Sequence, residues 1–329
     1  MITRRTFQLA SLTALPLSTP FTASNASAQP TKLTRIVVGF PAGGGSDVAA
    51  RALMSRMQPA YSSGMIVENR PGAGARLAVD HVKNSAPDGT TLLFTPDFPI
   101  TIYPHSFRKL AYDPLVDLTP VAVVAKTPLA FVVGPMVPER VKTVADFVAW
   151  AKANPQQAAF SSSAAGATPH FAGVMFARAA GIELLHVPYK GGAPAMQDML
   201  GGQIASGFPG VGEALPHLAG GKLRVLATTG TQRTPFLPDV PTMLESGYKD
   251  VVAEVWVGVF MPPRTPAAIA NHAAAAIADI QKTSDFKEAF GKFAMEPVSG
   301  TPESFGRRIR TDLAAWGPII KASGFTAED

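Results

Sequence analysis

Ile36-Val37-Val38-Gly39-Phe40-Pro41-Ala42-Gly43-Gly44-Gly45-Ser46-Asp47 is the stretch on which the fold turns. An apolar run of β-branched residues ends in Gly and Pro, three glycines follow, and an amphipathic helical pattern begins at residue 48. Strand, glycine loop and helix start in that order expose bare backbone N–H groups, because glycine removes the side chains that would cover them. Ser46 or Asp47 is placed to cap the helix, whose N-terminus carries partial positive charge. The stretch therefore reads either as an anion-binding loop or as a tight strand-to-helix turn with no ligand.

Outward from this loop the same alternation repeats. Apolar runs at 65–68, 91–94, 121–124, 130–133, 158–161, 204–208, 225–227 and 255–260 read as strands. Helical patterns at 47–57, 73–83, 144–153, 170–180, 193–200 and 212–218 lie between them. This predicts an α/β fold with largely parallel sheets. The C-terminal part reads as helical: Ile269, Ala273, Ala276, Ile277 and Ile280 share one face, and Thr301-Pro302-Glu303 opens a last helix. Pro and Gly mark the breaks, and no single linker separates two independent domains. That pattern fits two lobes joined by more than one crossing strand.

The first residues read as an export signal. Arg4 and Arg5 precede a weakly apolar stretch, and Ala26-Ser27-Ala28 offers a cleavage site. The paired arginines with Phe7 and Leu9 point to the twin-arginine route, and the general secretory route stays open. Cleavage after Ala28 would lower the formal net charge from +5 to +3. So mild an excess argues against nucleic acid or a membrane surface as partner. The chain has no cysteine, so its stability rests on a large core and not on disulfides. No later apolar run is long enough to span a bilayer, and the expected product is soluble and periplasmic.

Several segments in order resemble one family. They are Phe40-Pro41-Ala42-Gly43-Gly44 with Asp47 and Arg51; Val67-Glu68-Asn69-Arg70-Pro71-Gly72-Ala73-Gly74; Pro87-Asp88-Gly89-Thr90-Thr91-Leu92-Leu93; and Tyr112-Asp113-Pro114 with Asp117, Thr119, Pro120 and Val121. Ser162-Ser163 with Gly166, Thr168 and His170 follow, then His186-Val187-Pro188-Tyr189-Lys190-Gly191 with Ala193-Pro194-Ala195. Gly221-Lys222-Leu223-Arg224-Val225-Leu226-Ala227 and Leu237-Pro238-Asp239-Val240-Pro241-Thr242 complete the set. Together they are similar to the Bug-type extracytoplasmic solute receptors of tripartite tricarboxylate transporters.

The resemblance implies a two-lobed type II periplasmic binding protein, each lobe a central sheet flanked by helices. Residues 1–28 would be the signal, 29–130 with 251–329 the first lobe, and 131–250 the second. It implies a monomeric, non-catalytic receptor without metal or cofactor. Such a receptor closes on a small carboxylate and delivers it to the transporter's membrane components; feeding a two-component sensor is an alternative end use. The implied site comprises Phe40, Pro41, Ala42, Gly43, Gly44, Gly45, Ser46 and Asp47 in one lobe. Ser162, Ser163, Gly166, Thr168 and His170 face them from the other, with Tyr189, Lys190, Gly191 and Phe208 completing it. The sequence departs from the family at Pro209, where an Asp is common, at Thr91 in place of Tyr, and at Ala164 in place of Gly.

Rival readings are weaker on motif grounds. Ser162, Ser163 and His170 would suit a serine hydrolase, but there is no Gly-x-Ser-x-Gly elbow and no placed third acid. The triple glycine lacks both phosphate-loop and dinucleotide spacing. The six histidines form no close pair in sequence and have no cysteine companions. Pro209 offers no partner to a cation, so carboxylates without an ammonium are expected to bind better than amino acids. Asp97, after the 91–94 strand, is the acid that would reverse this order if it reaches the cleft.

Overall fold

Residues 32–327 are described by the computed structural model. The export signal and its cleavage site lie outside the described residues. The first βα unit is strand β1 (Thr34–Val38), a loop, and a helix over Gly45–Tyr61. The remaining strands are β2 (Met65–Asn69), β3 (Thr91–Pro96), β4 (Thr119–Pro128), β5 (Ala130–Val133), β6 (Ala159–Ser162), β7 (Leu185–Pro188), β8 (Ser206–Gly207), β9 (Arg224–Thr228), β10 (Glu254–Met261) and β11 (Glu296–Pro297).

They form two sheets, in the orders β11-β4-β10-β3-β1-β2 and β7-β6-β8-β5-β9. The two share a plan. In the first, β1 pairs in parallel with β2 and β3, and β10 inserts antiparallel between β3 and β4. In the second, β6 pairs in parallel with β7 and β8, and β5 inserts antiparallel between β8 and β9. Each inserted strand comes from the chain that has just built the other sheet. The fold is thus a two-lobed α/β architecture with two crossings, its largely parallel sheets each interrupted by an inserted antiparallel strand. An inserted antiparallel strand is the natural outcome when the chain must return to a sheet it has left, and β11 adds a second antiparallel strand at the edge of the first sheet.

Burial follows a period of two on both sheets. Ile36 and Val38 join one cluster with Leu92, Phe94 and Leu53, whereas Val37 and Leu93 join another with Val79 and Phe260. In the second lobe Phe131 and Val133 face Phe147 and Phe171, and Ala130 and Val132 face Met199 and Val211. Both faces of each sheet are covered, which is why the strands are continuously apolar.

The crossings are stitched together. Thr229 donates its amide to the Leu129 carbonyl at 2.9 Å and takes the Ala253 amide on its own carbonyl at 3.0 Å. Its Oγ1 accepts from the Leu129 amide and donates to the Ala253 carbonyl. The last helix, Pro302–Ser323, is a bolt across the molecule. Phe305 and Ile309 pack in the first lobe's core, and Trp316 and Ile320 in the second's. Its start is as the sequence predicts: Thr301 caps it, reciprocated by Ser304.

Several elements differ from the sequence reading. β7 is an edge strand with Leu185 exposed, so it lacks the apolar run that identifies a buried strand, and the strand expected over 204–208 is confined to the two residues of β8. Short helices over Phe98–Thr101 and Tyr103–Ser106 occupy a stretch that reads as loop, because two prolines break its helical period. Among the described residues no helix is long and apolar enough to cross a membrane.

Candidate functional site

The loops leaving the carboxyl ends of β1 and β6 face the junction of the lobes, where ligands of open α/β sheets bind. In the first loop the buried Asp47 organises the backbone. Its carboxylate accepts from the Gly43 amide at 2.9 Å, from Asn69 Nδ2 at 2.9 Å, and from Arg51 Nε at 3.1 and 3.0 Å. Asn69 also donates to the Phe40 carbonyl at 3.0 Å. Burial acts to raise the Asp47 carboxyl, but the hydrogen bonds from Arg51, Gly43 and Asn69 outweigh it and hold the group below its ordinary range.

This corrects two expectations. Asp47 and Ser46 do not cap the helix; Gly44 stands at the N-cap with no side-chain bond. The Gly43 amide is committed to Asp47, and the Gly44 amide to the Pro41 carbonyl at 3.3 Å. The amides left without an acceptor among the described residues are those of Gly45, Ser46 and Asp47, the first turn of a 17-residue helix. Pro41 to Gly45 are exposed, Ser46 is half-buried, and Phe40 packs on the first lobe's core.

In the second loop, Thr168 opens the helix Thr168–Ala180 with Pro169 in its first turn. The Gly166 amide donates to His170 Nδ1 at 3.1 Å, so His170 carries its proton on Nε2 and Gly166 is not a free donor. Ser162 Oγ donates to the Ala164 carbonyl at 2.9 Å and lies 2.7 Å from His186 Nε2, from which it accepts. The third loop is tied to the second, Tyr189 and Gly191 donating their amides to the Ser162 and Ser163 carbonyls at 2.9 Å. Tyr189 donates its hydroxyl to Asp198 at 2.8 Å, and Lys190 is exposed. Phe208 is a correction: it is fully buried, stacked on Phe131 at 4.9 Å and edge-on to Phe160, and belongs to the core and not to a pocket wall.

His170 and His186 are distant in sequence but stack at 3.8 Å with their rings 9° apart. Burial, aided by His186, drives the His170 imidazole down to about 3, and burial takes His186 down to about 4. Both are neutral packing elements behind the second loop. A hydrolase would need one of these rings to donate to a carboxylate, and neither does so among the described residues. No group of three metal-ligating side chains occurs among the described residues either.

The stacked pair has a thermodynamic consequence. A depressed folded-state pKa means the unfolded chain takes up protons first as pH falls below 6.5, so the stability of a neutral histidine is lost from there toward pH 4. At ~1.4 kcal/mol per pH unit, His170 stakes on the order of 3 kcal/mol over that window. Asp97 and Glu213, raised by burial, act in the opposite sense, so the raw profile is not diagnostic. The stability difference between the protein and His170→Gln is, because the variant has no imidazole to charge there. Urea titrations should show the wild-type advantage shrinking by about that amount between pH 7 and pH 4. A pH-independent difference would remove the buried neutral state.

Two acids sit where the lobes meet. Asp97, at the end of β3, is 1% exposed and accepts from Thr168 Oγ1 across the junction at 2.7 Å. Glu213 lies in the short helix Val211–Ala214 after β8 and against the third loop: a Cβ on Gly192 would fall 2.4 Å from its Oε2. Its side chain is exposed at the surface, and the protein packed around it acts to raise its carboxyl. It has no ion-pair or hydrogen-bond partner among the described residues. Nothing in the pattern Pro209-Gly210-Val211-Gly212-Glu213 distinguishes it from a solvated helix residue, so the sequence reading passes over it.

Two shallow concavities lie elsewhere. One of about 490 Å³ is lined by Arg35, Glu68, His81 and Thr91, at the amino ends of β1 and β3 and so opposite the loops. The other, about 460 Å³, borders the β7 edge at Leu184, Leu185 and His186.

A family profile described as "Tripartite tricarboxylate transporter family receptor" matches residues 49–325. "Protein BugT" of Bordetella pertussis is 32% identical over 301 residues, covering 91% of this chain and 92% of that protein. The solved structure of R. palustris Rpa4515 with adipate superposes with a TM-score of 0.83 at 29% identity, over 90% of this chain and 99% of the other. MatC from Rhodopseudomonas palustris with bound malate gives a TM-score of 0.79 at 26% identity, over 88% and 99%.

Proposed function

This chain belongs to the tripartite tricarboxylate transporter receptor family, and from that premise we propose that it is an exported receptor which closes on a small organic carboxylate and delivers it to the transporter's membrane components. The observation that carries the carboxylate reading is the set of unclaimed amides of Gly45, Ser46 and Asp47. They crown a long helix and are aimed by a carboxylate that has already consumed the neighbouring donors. Backbone donors and helix dipole together favour an anion, and a carboxylate accepts two such bonds at once. On the facing loop the Ser163, Ala164, Ala165 and Thr168 amides also find no acceptor among the described residues. The relatives solved with malate and adipate support the same class.

The hinge of this reading runs through the two crossings joined at Thr229, with residues 29–130 and 251–329 moving against residues 131–250. Closure of lobes about a few connecting residues is the usual response to such a ligand.

One experiment tests receptor and export together. Produced with its own N-terminus in a Gram-negative host, the protein should be recovered from the periplasm beginning at Gln29. That material, screened against a carboxylic acid library by thermal shift, should be stabilised by about 2.7 kcal/mol at a hundred times the dissociation constant of its ligand. An intact N-terminus would refute the export reading. No shift with any carboxylate would refute the receptor reading.

A further inference from the structure

Asp97 lies between the two amide-bearing loops. The residue after it, Phe98, meets Phe40 of the first loop edge-on at 6.1 Å, and its own Oδ2 takes the Thr168 hydroxyl of the second loop at 2.7 Å. Its other oxygen, Oδ1, is buried and accepts no hydrogen bond from another residue among those described. A buried carboxylate oxygen without a donor is costly, and native structures rarely leave one so. The charged groups acting on it are Asp312 and Arg308, both on the last helix. Arg308 is engaged with Asp312 at 3.5 Å and Glu254 at 3.9 Å, so the described residues supply Asp97 with no cation of its own.

We propose that Asp97 is a specificity-determining residue of the cleft, whose free oxygen receives a hydrogen-bond donor, a hydroxyl or an ammonium, carried by the ligand beside the carboxylate that the amides hold. This rests on the carboxylate-receptor reading and narrows it to hydroxy- and amino-carboxylates. It reverses the order expected from Pro209 alone. Thr168 fixes the rotamer of the carboxylate, so the free oxygen has a defined direction. A site built to pair a donor discriminates strongly against the analogue that lacks it, because the pairing group is then left unsatisfied.

The test is calorimetry with a matched four-carbon set: succinate, malate and aspartate. At pH 8 the better of malate and aspartate should bind at least tenfold tighter than succinate. Asp97→Ala should collapse that ratio below threefold. Should the alanine variant not fold, Asp97→Asn keeps the shape and should remove the preference for aspartate. On the unmodified protein, lowering the pH from 8 to 6 should weaken aspartate at least threefold relative to succinate, as Asp97 takes up a proton. Succinate binding as tightly as both analogues would overturn the proposal, as would a ratio unchanged by either variant. A carboxylate screen without any binder would instead refute the parent reading.

Discussion

Replacing Gly212 by alanine should cost at least ~30-fold in ligand affinity, about 2 kcal/mol, through an obstacle to closure. A Cβ at this position would fall 2.0 Å from the Phe293 carbonyl oxygen and 2.4 Å from its carbon. Both atoms are backbone, so no rotamer change relieves the contact. Phe293 follows the helix Ser284–Gly291 on the first lobe's side, and Gly212 sits in the short helix Val211–Ala214 after β8 on the second's. The added methyl must therefore push the lobes apart where Ala294 packs among Val211 and Ala214. Small-angle scattering of the ligand-saturated variant should report a larger radius of gyration than the ligand-saturated parent, with far-UV circular dichroism retained. Affinity within threefold of the parent would show that the junction has slack.

Asp47→Ala should abolish binding and cost about 3 kcal/mol of stability. The side chain contacts no ligand in this reading; its effect is on the loop. Without the carboxylate, the Gly43 amide loses its acceptor, Asn69 Nδ2 keeps only the Phe40 carbonyl, and the half-exposed Arg51 loses its ion pair and keeps only Asn69 Oδ1 at 3.4 Å. Gly43 has φ of +80°, a conformation that nothing else in the loop enforces. Asp47→Asn keeps the shape and one acceptor but not the ion pair, and should fall between the two. Urea unfolding and calorimetry measure the two effects separately. An alanine variant that binds within threefold of the parent would show that the loop holds itself.

Much of the architecture was legible in the chain because it is local. A β-branched run followed by glycines and a 3.6-residue period gives β1, its loop and its helix whatever surrounds them. The same holds for Thr301-Pro302 at the start of the last helix, and for Asp47 and Arg51, four residues apart on one helical face. The positions of the candidate loops after β1 and β6 followed from such units and from the ordered motifs.

What each residue of those loops does was not legible, because hydrogen-bond partners are chosen in three dimensions. The Gly43 amide looks as free as that of Gly45 until Asp47 turns back to claim it. Phe208 reads equally as pocket or core until Phe131 is stacked on it by the antiparallel insertion of β5. His170 and His186 stack only because β6 and β7 pair in parallel and bring the chain back alongside itself. Asp97 is an unremarkable turn acid in sequence; the second lobe supplies Thr168 and removes the water. The period of the chain determined the strands and helices, whereas desolvation at the junction of the lobes, a property of no single segment, decided which polar groups are already paired and which remain for a ligand.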